Sequence, residues 1–164
     1  MAISFMRIDD RIIHGQIIIR WSTEFPCDGI LAVNDDAAAN PVVRAALKAA
    51  STKKTLIYSY SQFLEKMEQA VNSEKNYFLI TKEPATMAKI LEDNRFKALK
   101  KLVNVGPQSA KSGTVSVNKN ADITKADMEA YERIHRAGYQ IEFQLVPDLA
   151  KVEWSSVREK LLND

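Results

Sequence analysis

Six short apolar runs, at 2–8, 29–34, 54–59, 76–81, 101–105 and 139–146, are each followed by a segment of helical periodicity, at 15–24, 40–50, 61–73, 84–94, 124–137 and 153–162. Strands that are apolar throughout must be covered on both faces, and parallel neighbours need a crossover between them, so few folds accept this alternation. The pattern predicts an α/β fold: a single-domain, mostly parallel, doubly wound sheet of about six or seven strands with helices on both faces. The 164 residues read as one domain from 1 to 164, a length at which one core buries about two-thirds of the unfolded surface. Helix boundaries carry their own chemistry. Pro41 after Asn40 and Pro84 suit first-turn positions, Thr124 with Asp127 resembles a capping pair, and Gly138 suits a helix end.

Right-handed crossovers gather the C-terminal ends of the strands on one edge, where open parallel sheets bind ligands near the point at which strand order reverses. The connections 9–14, 35–39, 59–61, 82–83, 106–111 and 147–148 fall on that edge, and 114–117 reads as an extra edge strand. Charge narrows the partners. Twenty-three Lys and Arg against 21 Asp and Glu leave a formal net charge of +2 with both signs scattered, and no basic stripe with stacking residues argues for nucleic acid. The run Lys97-Ala98-Leu99-Lys100-Lys101 reads as a solvated edge. Cys27 is the lone cysteine and the two histidines lie far apart, so neither a disulfide nor a metal site is expected, and a reducing cytoplasm fits. Arg7, Asp9, Asp10 and Arg11 interrupt the first apolar run, and no stretch approaches the ~20 apolar residues of a spanning helix, so no membrane insertion is expected.

The densest polar cluster beside an apolar strand is Arg7-Ile8-Asp9-Asp10-Arg11-Ile12-Ile13-His14-Gly15-Gln16, where strand one should meet helix one. A neutral imidazole at His14 has a lone pair able to attack phosphorus, and its ordinary pKa near ~6.5 leaves much of it uncharged at neutral pH. Arg7 and Arg11 would disfavour imidazolium and hold the phosphoryl group with guanidinium forks. Gly15 would let phosphate approach the backbone, and the first amides of the helix, that of Gln16 included, would donate to it. Asp9 or Asp10 would accept a hydrogen bond from one ring nitrogen and fix the tautomer; spacing alone does not choose between them. Asp35 and Asp36 follow strand two on the same edge, where Asp35 is placed to support Arg11 or meet a partner's cation. The stretch 104–108 offers further amides there. The plain alternative for the cluster is a salt-bridged surface turn with a histidine near a helix start.

Arg7-Ile-Asp-Asp-Arg-Ile-Ile-His-Gly-Gln-Ile17, followed by Arg20-Trp21, resembles the loop of the IIB components of the mannose/fructose/sorbose class of the bacterial sugar phosphotransferase system. That loop commonly reads Arg-Ile-Asp-Asp/Glu-Arg-Leu-Ile-His-Gly-Gln-Val, so Ile12 and Ile17 are mild departures. The similarity extends to Val33-Asn34-Asp35-Asp36, Asn104-Val105-Gly106 and Gln144-Leu145-Val146-Pro147 after strands two, five and six. By position, the resemblance implies that His14 is the phosphorylated histidine, that Arg7 and Arg11 bind phosphate, and that Asp9 and Asp10 form the acidic pair. It implies a relay in which a phosphohistidine on a IIA protein or domain donates to His14, and His14 donates to sugar held by IIC and IID membrane proteins. No metal or organic cofactor is implied. The chain would sit in the cytoplasm, peripherally associated with its transporter, and the IIA partner would be a separate polypeptide or domain.

A different class remains open: a non-catalytic anion- or nucleotide-binding module of similar fold, although neither G-x-G-x-x-G nor a P-loop is present. Cys27 reads as structural, His135 as a surface residue near a helix end, and Trp21 as core.

Overall fold

A computed structural model describes residues 2–164. Met1 of the expected 1–164 domain lies outside the described residues. Strands β1 (Ala2–Ile8), β2 (Gly29–Val33), β3 (Lys54–Tyr58), β4 (Asn76–Thr81), β5 (Leu102–Val105), β8 (Gln140–Phe143) and β9 (Val152–Glu153) form one seven-stranded sheet. Its order is β3-β2-β4-β1-β5-β8-β9, with every pairing parallel except β8 with β9. A separate antiparallel hairpin, β6 (Val115–Asn118) with β7 (Ala121–Ile123), holds the stretch expected as an extra edge strand. The seventh strand of the main sheet is instead β9, too short to show a period of its own.

The helices divide between the faces as the strands' alternating side chains require. Helices α4 (Tyr60–Val71), α5 (Pro84–Glu92), α6 (Lys125–Arg136) and α7 (Trp154–Asn163) cover Ile3, Met6, Ile8, Leu79, Val103 and Phe143. On the other face, α1 (Gly15–Trp21), α2 (Asp35–Ala39) and α3 (Pro41–Ala49) cover Phe5, Ile30, Ala32, Ile57, Phe78 and Ile80. The helix expected at 40–50 is thus preceded by a short one. Asn34 caps the first by accepting from the Ala37 amide, and Asn40 with Pro41 breaks the chain and caps the second. Capping boxes start α4 at Ser59 with Gln62 and α6 at Thr124 with Asp127.

Connections from β1 and β2 run over one face toward β3, whereas those from β4 and β5 run over the other toward β8. Strand order therefore reverses between β1 and β5, and the C-terminal ends of those two strands flank a crevice. No described helix is long and apolar enough to cross a membrane.

The C-terminal helix is tied down by a buried carboxylate. Glu132 of α6 accepts from Trp154 Nε1 at 2.8 Å, Arg158 Nε at 2.7 Å and Arg158 Nη2 at 2.6 Å. Hydrogen bonds from Arg158 hold the Glu132 pKa below the usual carboxylate value against the opposing effect of burial. Because the folded state lowers this pKa, the stability it contributes is present above the unfolded value and is lost as pH falls through the folded one. Glu132→Gln should cost about 2 kcal/mol at pH 7, seen as a lower urea midpoint. The gap between variant and parent should narrow as the pH is lowered toward 3.

Candidate functional site

The crevice at the strand reversal is walled by the β1–α1 loop and the β5 end. Ile8 carbonyl accepts from Gly106 N at 2.8 Å, Asp10 N donates to Pro107 carbonyl at 3.1 Å, and Asp9 N donates to Thr81 carbonyl at 3.0 Å. The loop is therefore stitched to both neighbours of β1. Within it, Asp9 Oδ1 accepts from Arg11 N at 2.9 Å and Ile12 N donates to Asp9 carbonyl at 2.9 Å, a tight turn. Ile12 adopts φ +62°, a left-handed conformation that a β-branched residue rarely takes. Burial of Ile12 and Ile13 against the α1-side core holds the turn in that form and leaves Arg11 exposed.

His14 is the N-cap residue of α1, half-buried, with its carbonyl accepting from Ile18 N at 3.0 Å and its side chain making no capping bond. Among the described residues no side chain caps the first-turn amides, and no acidic residue lies in that turn. The ring's Nδ1 is enclosed and has no hydrogen-bond partner among the described residues. Buried polar atoms are nearly always satisfied, so an orphaned ring nitrogen next to open helix amides makes this position the candidate site. Arg11 makes no ion pair or side-chain hydrogen bond among the described residues, which leaves its charge at the protein surface beside the histidine turn.

Several expected roles change once the side chains are placed. Arg7, expected to bind phosphate, is enclosed: its side chain is 1% exposed, pointing from β1 into the α1 layer with its guanidinium 6.0 Å from the Trp21 ring. Its Nε donates to Asp9 Oδ2 at 3.0 Å, Nη2 lies 3.0 Å from the same oxygen, and Nη1 donates to Asn104 Oδ1 and to the Gln144 carbonyl. Burial pulls the Arg7 pKa below its ordinary value, and the Asp9 carboxylate opposes that pull. Neither carboxylate of the acidic pair orients the imidazole. Asp9 is committed to Arg7 and the Arg11 amide, and Asp10 accepts from Ser109 N. Asp35 does not support Arg11; its Oδ1 accepts from Tyr60 N at 2.8 Å and so fixes the start of α4. Gln16 is exposed at the second position of α1.

Two glycines are dictated by these contacts. A Cβ on Gly106 would fall 2.1 Å from Arg7 Nη2 and 2.8 Å from Asp9 Oδ2, so the buried pair packs directly on that backbone. A Cβ on Gly15 would fall 2.3 Å from the Ala50 carbonyl oxygen, so close packing of α1 on the end of α3 demands the missing side chain. Gly15→Ala must push α1 away from Ala50, at a cost of about 1–3 kcal/mol. A lower melting temperature with the chain still folded checks it; an unchanged one would show that the helix start yields freely.

Sequence reasoning missed Asn104 and Gln144 as partners of Arg7. Their signal was polarity at a strand's end: Asn104 interrupts an apolar strand, and Gln144 follows β8 directly. Trp21 is core as expected, stacked 4.9 Å from Phe5 with its Nε1 donating to Leu145 carbonyl. Cys27 is buried, and burial pushes its thiol up to about 11.

Known proteins match this chain along its length. Residues 3–163 match the family model described as PTS system sorbose subfamily IIB component. The fructose-specific EIIB component of Bacillus subtilis (strain 168) is 26% identical over 161 residues, covering 96% of each chain. The mannose-specific EIIAB component of Escherichia coli (strain K12) is 27% identical over 165 residues, covering 98% of this chain and 50% of that protein, so the chain spans about half the length of that relative. Among solved structures, manxB from Thermoanaerobacter tengcongensis superposes with a TM-score of 0.83 at 23% identity, covering 96% of this chain and 95% of the other. The IIBSor domain of the Klebsiella pneumoniae sorbose permease does so with a TM-score of 0.82 at 21% identity, covering 99% and 98%. With the fold shared and the family model matching nearly end to end, the chain belongs to the sorbose-subfamily IIB components of the sugar phosphotransferase system.

Proposed function

We propose that His14 is the phosphoryl carrier of this IIB component, accepting the group from a phosphohistidine on a IIA protein or domain and passing it to a sugar held by IIC and IID membrane partners. The observation that carries the reading is the histidine itself: half-exposed at the start of α1, on the crevice where strand order reverses, with its ring free of any capping bond to the helix. In the first step a lone pair of the neutral imidazole attacks phosphorus, the new P–N bond forms as the donor's P–N bond breaks, and the donor imidazole leaves neutral. In the second a sugar hydroxyl oxygen attacks, the P–N bond to His14 breaks, and the hydroxyl proton is lost to solvent or a partner base.

The transferring group is close to a dianion, so positioning and charge neutralisation dominate its chemistry. Arg11, exposed beside His14, neutralises it, and the uncapped first-turn amides of α1, Gln16 included, donate to its oxygens. Arg7 acts from behind: with Asp9 it sets the turn that presents Arg11 and His14. The chain works where its partners are, in the cytoplasm against a membrane transporter, and those partners choose the sugar.

The test supplies the chain with labelled phosphoenolpyruvate, the general phosphotransfer proteins and a IIA partner, and maps acid-labile label to His14. Anion binding without covalent label would turn the reading into that of a binding module. Arg11→Ala should slow label transfer on the order of 100-fold while leaving the melting temperature within a degree or so, because its charge is needed chiefly when phosphate is present. Equal transfer rates for variant and parent would remove Arg11 from the site.

A further inference from the structure

At the far side of the sheet from the β8–β9 pair, β3 ends the sheet with one flank open. Tyr58 carbonyl accepts from Asn34 N at 3.0 Å, so Lys54, Leu56 and Tyr58 bond toward β2, and by alternation Thr55 and Ile57 turn their N–H and C=O groups outward. Among the described residues no hydrogen bond reaches those outward groups. Thr55 and Ile57 are each 8% exposed, their side chains turned under α3. Beside Leu56, Ile57 and Tyr58 runs a groove of about 470 Å³ between α3 and α4, its walls carrying Arg44, Lys48 and Lys66 against one acid, Glu65. Past Leu56, Tyr58 and Lys66 a second recess of about 160 Å³ opens beneath α4, where Leu31, Ala70 and Tyr77 give it an apolar lining. The sequence here is one-sided: from Ala37 to Leu64 it contains no Asp or Glu and has Arg44, Lys48, Lys53 and Lys54.

We propose that the outer flank of β3 is a docking edge for an extended segment of a partner protein in which acidic and apolar residues alternate. An added strand would pair its main chain with Thr55 and Ile57, and its side chains would point alternately to the two faces of the sheet. On the α3 face the acidic set meets Arg44 and Lys48; on the α4 face the apolar set meets Leu56, Tyr58 and the recess beyond them. A second copy of this chain fits poorly, because pairing β3 with β3 would bring two sets of Arg44, Lys48 and Lys66 together. An open edge is otherwise a liability that proteins cover or blunt, and here the covering is left to the partner. None of the groove's lining residues belongs to the loop that carries His14, so the proposal does not depend on phosphoryl transfer.

The probe is a labelled synthetic peptide of about eight residues alternating glutamate and valine, a usual strand length, titrated into the full chain at low salt. Saturable binding is expected, with slowed hydrogen exchange at the Thr55 and Ile57 amides. Lys48→Glu combined with Lys66→Glu, both exposed and outside the phosphoryl site, should weaken binding about tenfold or more without changing label transfer to His14. The proposal fails if the peptide does not bind, if the double variant binds it equally well, or if exchange slows at residues 9–14 instead. Concentration-dependent dimerisation that protects the same two amides would assign the edge to a second copy and likewise overturn it.

Discussion

His14→Ala should reduce acid-labile label on the chain to background, a loss on the order of 10⁴-fold or more, with little change in stability. The size of the effect follows from the proposed chemistry, in which the imidazole nitrogen is the atom to which phosphorus bonds and nothing else in the loop replaces it. Asp9 and Asp10 are held by Arg7, the Arg11 amide and Ser109, and neither carboxylate is a competent nitrogen nucleophile. The small effect on stability follows from the structure, since the His14 side chain makes no capping bond to α1. The other histidine, His135, lies in the last turn of α6, just before β8 begins, and so sits at the opposite edge of the sheet. Label that survives His14→Ala and disappears in His135→Ala would place the phosphoryl group there and end the present reading. Melting curves of parent and variant, recorded beside the labelling, separate loss of the nucleophile from loss of the fold.

Much of this was legible in the chain before any coordinates. Apolar runs and helical periods gave the parallel sheet because burial on both faces leaves no other home for strands such as Ile30-Leu31-Ala32-Val33. The loop after β1 was legible for a different reason: a polar cluster following an apolar strand has to lie at the sheet edge. What the residues could not disclose was direction. Arg7 falls inside β1, and the register shift between Ile3 and Phe5 sets which face each later residue takes, so that Arg7 shares a face with Phe5 and points into the core. A one-residue difference in that register would have turned it the other way. The roles of Asp9, Asp10 and Asp35 were equally hidden, because each carboxylate is claimed by an amide distant in sequence or by Arg7. Gly15 shows the same limit: its neighbour, the Ala50 carbonyl, is 35 positions along the chain.

Asp9→Ala should be the most destabilising change near the site, costing about 3–5 kcal/mol, because it strands a guanidinium that is 1% exposed. With total stabilities of roughly 5–15 kcal/mol, that loss is a large part of the whole and should move the urea midpoint strongly. Asp9→Asn should cost less than Asp9→Ala, since the amide oxygen can still accept from Arg7 or from the Arg11 amide. The informative variant removes both charges. Arg7→Met with Asp9→Leu should recover much of the stability, because a buried pair replaced by apolar groups of similar volume no longer carries a desolvated ion. Label transfer should nonetheless stay slow in the double variant, for the turn would have lost the Asp9 Oδ1 bond to the Arg11 amide and the anchor through Asn104 and Gln144. Recovered stability together with recovered transfer would show that the buried pair merely fills space. Recovered stability with slow transfer assigns it the task of holding the strained turn at Ile12, and through that turn the geometry of Arg11 and His14.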